Sequence, residues 1–215
     1  MGPLQAKDIR GANESGMSMH QPEARITYEE YLRLEAVTDQ RSEFYDGVVV
    51  AMADPSRRHE IIVSNLSLLL GPAVRAKNCE FVTRGAVWSE RRNTEIKPDW
   101  LVVCDRRDLD GSGPELTRSR YRFPSMVVEV LSPDNRASEM LQKLNAYSAI
   151  STVVLYLIID STRQQVWRYV SSGAGLVEAS VGERVETPFG LIPREAIYER
   201  TGVPALRDLP LPTDT

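Results

Sequence analysis

The sequence predicts a mixed α/β fold, in which a central sheet of parallel and antiparallel strands carries helices on its faces. Apolar runs at 100–103, 126–131 and 153–160 are typical of strands that are buried on both faces. Segments with the apolar spacing of a helix, at 57–76 and 137–149, separate these runs. Strands that alternate with helices in this way predict a sheet covered by helices.

Length and composition bound the organisation of the chain. With 215 residues and 42% hydrophobic content, it is long enough to bury one sizeable core. Residues 1–24 are rich in polar residues and glycine and lack an apolar period, so we expect a disordered leader. Residues 25–203 are then predicted to form a single domain, and residues 204–215 a loose C-terminal tail.

Charge and residue counts argue against several classes of protein. The net charge of −4 means that any contact with nucleic acid must come from a local basic patch. Cys79 and Cys104 form no CxxC pair and do not indicate a disulfide framework, and a total of two histidines argues against a thiolate or imidazole zinc cage. Because no apolar stretch approaches about 18 residues, we expect a cytoplasmic protein without a membrane span.

The N-terminal elements follow from local signals. Thr27 and Glu30 have the spacing of a capping box and predict a short helix. Asp46-Gly47 between apolar arms predicts a β-hairpin. Ser56 is placed to cap the helix at 57–76, which Pro72 would either kink or end.

The central and C-terminal elements are predicted in the same way. One strand is expected at about 81–89, and the charged stretch 105–121 is expected to be a surface loop. Ser132-Pro133 ends the strand at 126–131, and Ser132 or Asn135 would cap the next helix. Gln164–Val170, Leu176–Ala179 and a short C-terminal segment are predicted to be antiparallel edge strands.

Two acids in these core strands are the strongest functional signal. Asp99 is predicted to be the second residue of one strand, and Glu129 lies inside the apolar run 126–131. Carboxylates are rarely buried without a partner, and one cation could serve both. Two hard oxygen ligands, with the backbone carbonyl of Val130 as a third, suit Mg²⁺ or Mn²⁺. The alternatives are an Asp99 at a solvent-facing strand end and a Glu129 in a buried salt bridge.

Lys143 is the third member of the candidate site. It flanks the apolar stripe formed by Met140, Leu144 and Tyr147 on the predicted helix, and could reach inward. The ordinary alternative is an exposed helix lysine.

These three residues resemble the PD-(D/E)xK nuclease signature, although Leu131 stands where the lysine of the strand would be. The wider pattern is similar to the Uma-two family of restriction-endonuclease-like bacterial proteins, and the similarity covers about residues 26–170. It is carried by the following segments, in order: Thr27–Tyr31, Glu43-x-x-Asp46-Gly47, Pro55-Ser56 with His59, Lys97-Pro98-Asp99, Val128–Pro133, Lys143 with Tyr147, and Tyr156–Asp160.

The resemblance implies a restriction-endonuclease-like fold and a metal-dependent nuclease that acts on nucleic acid, DNA in the first instance. It implies that Asp99 and Glu129 hold Mg²⁺ or Mn²⁺, and that Lys143 takes the place of the strand lysine. Glu43 matches an acid that many members of the superfamily contribute from an N-terminal element. An exposed glutamate at a strand edge is the alternative for Glu43.

Basic residues near the proposed site could neutralise phosphates. The candidates for nucleic-acid binding are His59, Arg57, Arg58, Arg84 and Lys97. A solvated basic face is the alternative for the cations, and a local hydrogen bond at the start of a helix is the alternative for His59. We expect a homodimer if both strands of DNA are cut, because a dimer supplies two sites.

Two other functions remain open from the sequence. One is a non-catalytic module that binds nucleic acid or protein on the same fold, and the other is a hydrolase for a different phosphate ester. If the carboxyl oxygens of Asp99 and Glu129 lay more than about 6 Å apart with no shared polar cavity, they could not share one ion, and the nuclease interpretation would fail.

Overall fold

The computed structural model describes residues 25–110, 120–133 and 137–205. The predicted leader 1–24 and most of the predicted tail 204–215 lie outside these ranges, so the domain boundaries stay predictions. Within the described ranges, no helix combines the length and apolar character that crossing a bilayer requires.

The N-terminal elements form where their local signals place them. Helix α1 (Tyr28–Glu35) begins at Thr27, and both hydrogen bonds of the capping box with Glu30 are present. Strands β1 (Ser42–Tyr45) and β2 (Val48–Ala51) form an antiparallel hairpin. Its turn residues, Asp46 and Gly47, have φ values of 45° and 95°, the left-handed conformation that two-residue hairpin turns require.

Helix α2 (Arg57–Ala76) is capped by Ser56, whose hydroxyl accepts a hydrogen bond from the His59 N–H. Pro72 does not end this helix, which continues to Ala76. Proline deprives the carbonyl four residues earlier of its hydrogen bond. That carbonyl belongs to Leu68, which is 76% exposed, so water can reach this side of the helix.

The single strand predicted at 81–89 is wrong, because the chain forms two strands there. Strand β3 (Glu80–Thr83) and strand β4 (Ala86–Ser89) belong to different sheets. Between them Arg84 has a φ of 62°, and a Cβ on Gly85 would lie 2.9 Å from the Leu101 side chain. The turn therefore brings the chain against strand β6 and redirects it into the second sheet.

The remaining elements include four that sequence reasoning missed. These are a strand before Pro98, a short helix near the C-terminus, and a short helix and a two-residue strand inside the predicted loop 105–121, of which 111–119 lies outside the described residues. In chain order the remaining elements are β5 (Thr94–Ile96), β6 (Trp100–Val103), α3 (Arg106–Leu109), β7 (Arg120–Tyr121), β8 (Pro124–Leu131), α4 (Ala137–Ser148), β9 (Leu155–Asp160), β10 (Val166–Ser171), β11 (Leu176–Ala179), β12 (Arg184–Thr187), β13 (Gly190–Pro193) and α5 (Arg194–Ile197).

Two sheets build the framework, as the predicted mixed α/β fold requires. The larger has the strand order β11-β10-β9-β8-β6-β3, in which β8 and β9 are parallel and the other neighbours antiparallel. The second has the order β2-β1-β5-β4-β7. One edge prediction is wrong, because β10 lies inside the larger sheet, where β11 pairs with it. The C-terminal segment forms the separate antiparallel pair β12-β13.

The core occupies both faces of the larger sheet. Side chains of α2 pack on one face, with Val128 and Val130 of β8. Side chains of α4 and of the second sheet pack on the other face, with Val127 of β8. Since side chains alternate along a strand, Glu129 points to the same face as Val127, towards α4.

A disulfide links Cys79 and Cys104, although the sequence did not indicate a disulfide framework. The pairing follows from tertiary structure. Strand β3 pairs antiparallel with β6, and Glu80 lies opposite Val103. Cys79 precedes Glu80 and Cys104 follows Val103, so the two cysteines face each other. Disulfides are rare in a reducing cytoplasm. The cytoplasmic location therefore stays a prediction.

Candidate functional site

Asp99 lies directly before strand β6, which begins at Trp100 and not at Pro98 as predicted. Its Oδ2 accepts a hydrogen bond of 2.7 Å from the Val130 N–H and contacts His59 Nε2 at 3.0 Å. No described residue donates a hydrogen bond to its Oδ1. The carboxylate is thus fixed through one oxygen, while the other remains available to a ligand.

The Val130 carbonyl faces the same side of β8 as Asp99. In a strand, the N–H and C=O of one residue point to the same side, and the N–H of Val130 points to Asp99. Strand β6 pairs with β8 only as far as Trp100 opposite Val128, so β6 supplies no partner for this carbonyl. The orientation agrees with the predicted use of the carbonyl as a ligand.

Glu129 is 5% exposed, and both of its oxygens have partners. Oε2 lies 3.0 Å from Lys143 Nζ, and Oε1 accepts a hydrogen bond of 2.7 Å from the Tyr147 hydroxyl. Burial, together with the charges of Asp99 and Glu43, raises the pKa of Glu129 to about 8, although Lys143 opposes the rise. The Lys143 ammonium therefore does not offset the combined effect of burial and the neighbouring acids on this carboxyl.

Lys143 turns inward from α4 and is 5% exposed. Its ammonium lies 3.0 Å from Glu43 Oε1 and 3.0 Å from Glu129 Oε2. Burial alone would lower the pKa of Lys143, but Glu129, Glu43 and Asp99 outweigh it and raise the pKa well above its usual value. Lys143 is thus a fixed positive charge and cannot accept a proton at neutral pH.

Glu43 is positioned by strand β1 of the second sheet and is 3% exposed. Its Oε1 accepts a hydrogen bond of 2.9 Å from the Lys97 N–H, and its Oε2 accepts one of 2.6 Å from the Tyr45 hydroxyl. Together with the contact to Lys143, these bonds occupy both oxygens. Glu43 and Glu129 therefore share the Lys143 ammonium.

A cavity of about 610 Å³ connects these groups. Among the described residues it is lined by six carboxyl side chains and three basic ones, a formal charge of −3 with histidine neutral: Glu43, Asp54, Glu60, Asp99, Glu129 and Glu139 against Arg41, Arg84 and Lys143. The field of such a cavity attracts cations and repels an anion that brings no cation with it.

The oxygen donors beside the cavity are of the kind that hard cations prefer. Asp99 and Glu129 line the shared polar cavity that one ion requires, and Val130 adds an oxygen donor. Within the described part of the chain, no three His, Cys, Asp or Glu side chains are arranged to hold a metal. Two carboxylates without a closed cage suit Mg²⁺, which keeps several waters and often shares substrate oxygens.

The structure separates the residues predicted to bind nucleic acid. His59 and Arg84 line the cavity, whereas Arg57 and Arg58 are exposed on the first turn of α2. The prediction for Lys97 is corrected by its surroundings. Its side chain is 9% exposed, its ammonium pairs with Glu35, and it does not line the cavity, so it is not available to a phosphate.

Sequence reasoning missed three residues at the site. Tyr147 was assigned to an apolar stripe, yet its hydroxyl binds Glu129. It lies four residues after Lys143, on the same side of α4, which was the available signal. Tyr45, two residues after Glu43, shares its face of β1 in the same way. Arg41 lines the cavity two residues before Glu43.

Comparisons with known proteins agree with this fold. A family model described as "Putative restriction endonuclease" (Uma2) matches residues 28–194. Two uncharacterized proteins of Synechocystis are each 29% identical to the chain. One is aligned over 78% of this chain and 94% of its own length, and the other over 74% and 83%. A crystal structure from Anabaena variabilis, described as "a putative nuclease belonging to DUF820", superposes with a TM-score of 0.65 at 18% identity. The match covers 80% of this chain and 97% of that one, and shows a shared fold.

Proposed function

Because the chain belongs to the Uma2 family of restriction-endonuclease-like proteins, we propose that it is a metal-dependent nuclease that hydrolyses phosphodiester bonds of DNA. The family supports a nuclease-like function in general terms. The finer proposal rests on one observation: the Lys143 ammonium is buried between Glu43 and Glu129, and the cavity beside it is also lined by Asp99.

In this proposal Asp99, Glu129 and the Val130 carbonyl hold Mg²⁺ or Mn²⁺. The ion would lower the pKa of a bound water and stabilise charge on the phosphate. His59 is a positioning residue, because its contact of 3.0 Å with Asp99 Oδ2 leaves Oδ1 directed to the ligand. The negative charge of the cavity gives a further reason for a cation there.

Lys143 acts through its charge. Because its pKa is raised well above the usual value, it stays protonated and donates hydrogen bonds rather than accepting a proton. A buried ammonium directed at the reacting phosphate stabilises the negative charge that develops in the transition state. Glu43 and Tyr45 keep this ammonium in place and need not touch the substrate.

The alternative is a non-catalytic module on the same fold that binds nucleic acid or another protein. One observation favours it: both oxygens of Glu129 and of Glu43 already have partners within the protein, so the network could serve folding alone. This module would not need a metal ion. Metal binding therefore separates the two functions.

The test is cleavage of plasmid, linear and single-stranded DNA and of RNA with Mg²⁺, Mn²⁺ or EDTA. We expect cleavage of DNA with either metal and none with EDTA, and loss of cleavage in Asp99→Ala and Lys143→Ala. Cleavage that survives in Asp99→Ala refutes the assignment of the site. If no substrate is cut and calorimetry detects no metal binding, the proposal of a metal-dependent nuclease is refuted. Sedimentation of the active protein tests the proposed homodimer.

A further inference from the structure

Among the described residues that line the cavity, Arg41 is the one partly buried cation whose charged group has no partner. That group is its guanidinium. Its Nη2 atom is buried and makes no hydrogen bond to any described residue. No carboxylate among the described residues lies within 4.0 Å of its guanidinium, although six of them line the same cavity. An arginine that only balanced these acids would pair with one of them.

The backbone holds Arg41 rigidly at the cavity. Its carbonyl accepts a hydrogen bond of 2.9 Å from the Met52 N–H, which extends the β1-β2 hairpin by one residue, and a second one of 3.2 Å from Gln40 Nε2. Side chains two residues apart on a strand share a face, so Arg41 projects to the same side as Glu43. Glu43 contacts Lys143 at 3.0 Å, so the strand face that carries Arg41 lies next to the proposed catalytic centre.

An unpaired guanidinium with a buried nitrogen destabilises the free protein, because the group stays charged and loses water. An anionic ligand removes this cost when it binds. The planar fork of arginine matches two oxygens of a phosphate, a geometry that lysine cannot supply. Arg84, which also lines the cavity, is exposed and adds a screened charge at its mouth.

We propose that Arg41 is the phosphate-binding residue of this site and that its guanidinium takes the non-bridging oxygens of a DNA phosphodiester beside the Asp99 and Glu129 carboxylates. This inference rests on the proposed function for the identity of the ligand. It assigns Arg41 a contact with the substrate, whereas Glu43, on the same strand face, acts through Lys143.

The test measures binding rather than turnover. Short DNA duplexes are titrated by fluorescence anisotropy with Ca²⁺ in place of Mg²⁺, which keeps a divalent ion present and prevents turnover from entering the measurement. The variants are Arg41→Met, Arg41→Lys and, as a matched control, Arg33→Met on the exposed side of α1. We expect binding to weaken about tenfold or more in Arg41→Met, with a salt slope smaller by about one. Arg41→Lys should fall between it and the native protein, and Arg33→Met should stay within about twofold.

A single uncharged methylphosphonate moved along the strand identifies the contact. At the phosphate that Arg41 binds, the methylphosphonate should weaken DNA binding by the native protein and leave DNA binding by Arg41→Met unchanged. At other positions it should weaken both equally. Equal losses at every position, or an Arg41→Met protein that binds like Arg33→Met, overturn the proposal, and so does a native protein that binds no DNA.

Thermal unfolding of the free proteins shows whether Arg41→Met binds DNA weakly because it is less well folded. A structural arginine would destabilise the free protein when replaced, whereas an unpaired one should leave Arg41→Met at least as stable as the native chain. A clearly lower melting temperature of free Arg41→Met contradicts the proposal. The binding measurements do not depend on cleavage. If the methylphosphonate effect depends on Arg41 but the native protein cuts no DNA, the Arg41 contact stands and the nuclease proposal fails. If the native protein cuts DNA but the methylphosphonate effect does not depend on Arg41, the nuclease proposal stands and the Arg41 contact is refuted.

Discussion

Replacing Lys143 by methionine removes the cation between two buried carboxylates and tests the electrostatics of the site. Glu43 is 3% exposed and Glu129 is 5% exposed, so neither can recover water easily. Breaking a buried ion pair by removing one partner costs about 3–5 kcal/mol. Because Glu129 can take up a proton, we expect the lower end, about 3 kcal/mol at pH 7.5, or roughly 6–12 °C in melting temperature for a chain of this size.

The pH dependence of this loss identifies its cause. The Glu129 carboxyl, whose pKa is about 8, is ionised above that pH and takes up a proton below it, so the difference in unfolding free energy between native and Lys143→Met should shrink as the pH falls from about 9.5 to about 7. Urea unfolding at both pH values measures it. Lys97→Met is the matched control: its partner Glu35 is 16% exposed and can regain water, so we expect a smaller loss.

The double variant Lys143→Met with Glu129→Gln removes one of the two carboxyl groups that lose their cation in Lys143→Met. It should regain about 1–2 kcal/mol relative to Lys143→Met alone. If Lys143→Met loses less than about 1 kcal/mol at pH 7.5 and shows no pH trend, the ammonium does not neutralise buried carboxylates. The account of the site would then be wrong.

Three further outcomes follow from the structure. Tyr147→Phe deletes a buried hydrogen bond to a carboxylate and should lower the unfolding free energy by about 1.5–3 kcal/mol in urea; an unchanged midpoint contradicts this bond. Because the pKa of Glu129 is raised to about 8, Mn²⁺ must displace a proton at lower pH. Calorimetry should therefore show binding that tightens about 20-fold from pH 6.5 to 8.5, and pH-independent affinity excludes Glu129 as a ligand. Replacing Cys79 and Cys104 by serine opens a loop with a sequence separation of 25 and should cost about 3 kcal/mol while leaving cleavage intact.

Local signals in the sequence predicted most of the helices and the hairpin. The capping box of Thr27, the Asp46-Gly47 turn and the Ser56 cap act over three or four residues, so the sequence contains the whole interaction. The division of 81–89 into two strands depends on Arg84 and on contacts with β6, far along the chain. Such long-range pairing leaves no local pattern.

The candidate site shows the same limit. Asp99, Glu129 and Lys143 were predicted because acids in apolar strands need a cation, and the structure brings all three to one cavity. Lys97 was misplaced because Glu35, which pairs with its ammonium, is 62 residues away. Arg41 was missed because a missing partner is visible only once the surrounding residues have been placed.

The central claim is that the Asp99–Glu129–Lys143 centre cuts DNA with a divalent metal, and the most direct measurement compares two equally buried glutamates. Glu129 and Glu95 both bind a tyrosine hydroxyl and a cation, but only Glu129 lines the cavity. The measurement is the rate of plasmid cleavage with Mn²⁺ by Glu129→Gln and Glu95→Gln, at a temperature where both are folded. The account predicts a loss of roughly a hundredfold or more in Glu129→Gln and a rate near native in Glu95→Gln. Equal rates in the two variants, or a native rate in Glu129→Gln, would contradict it.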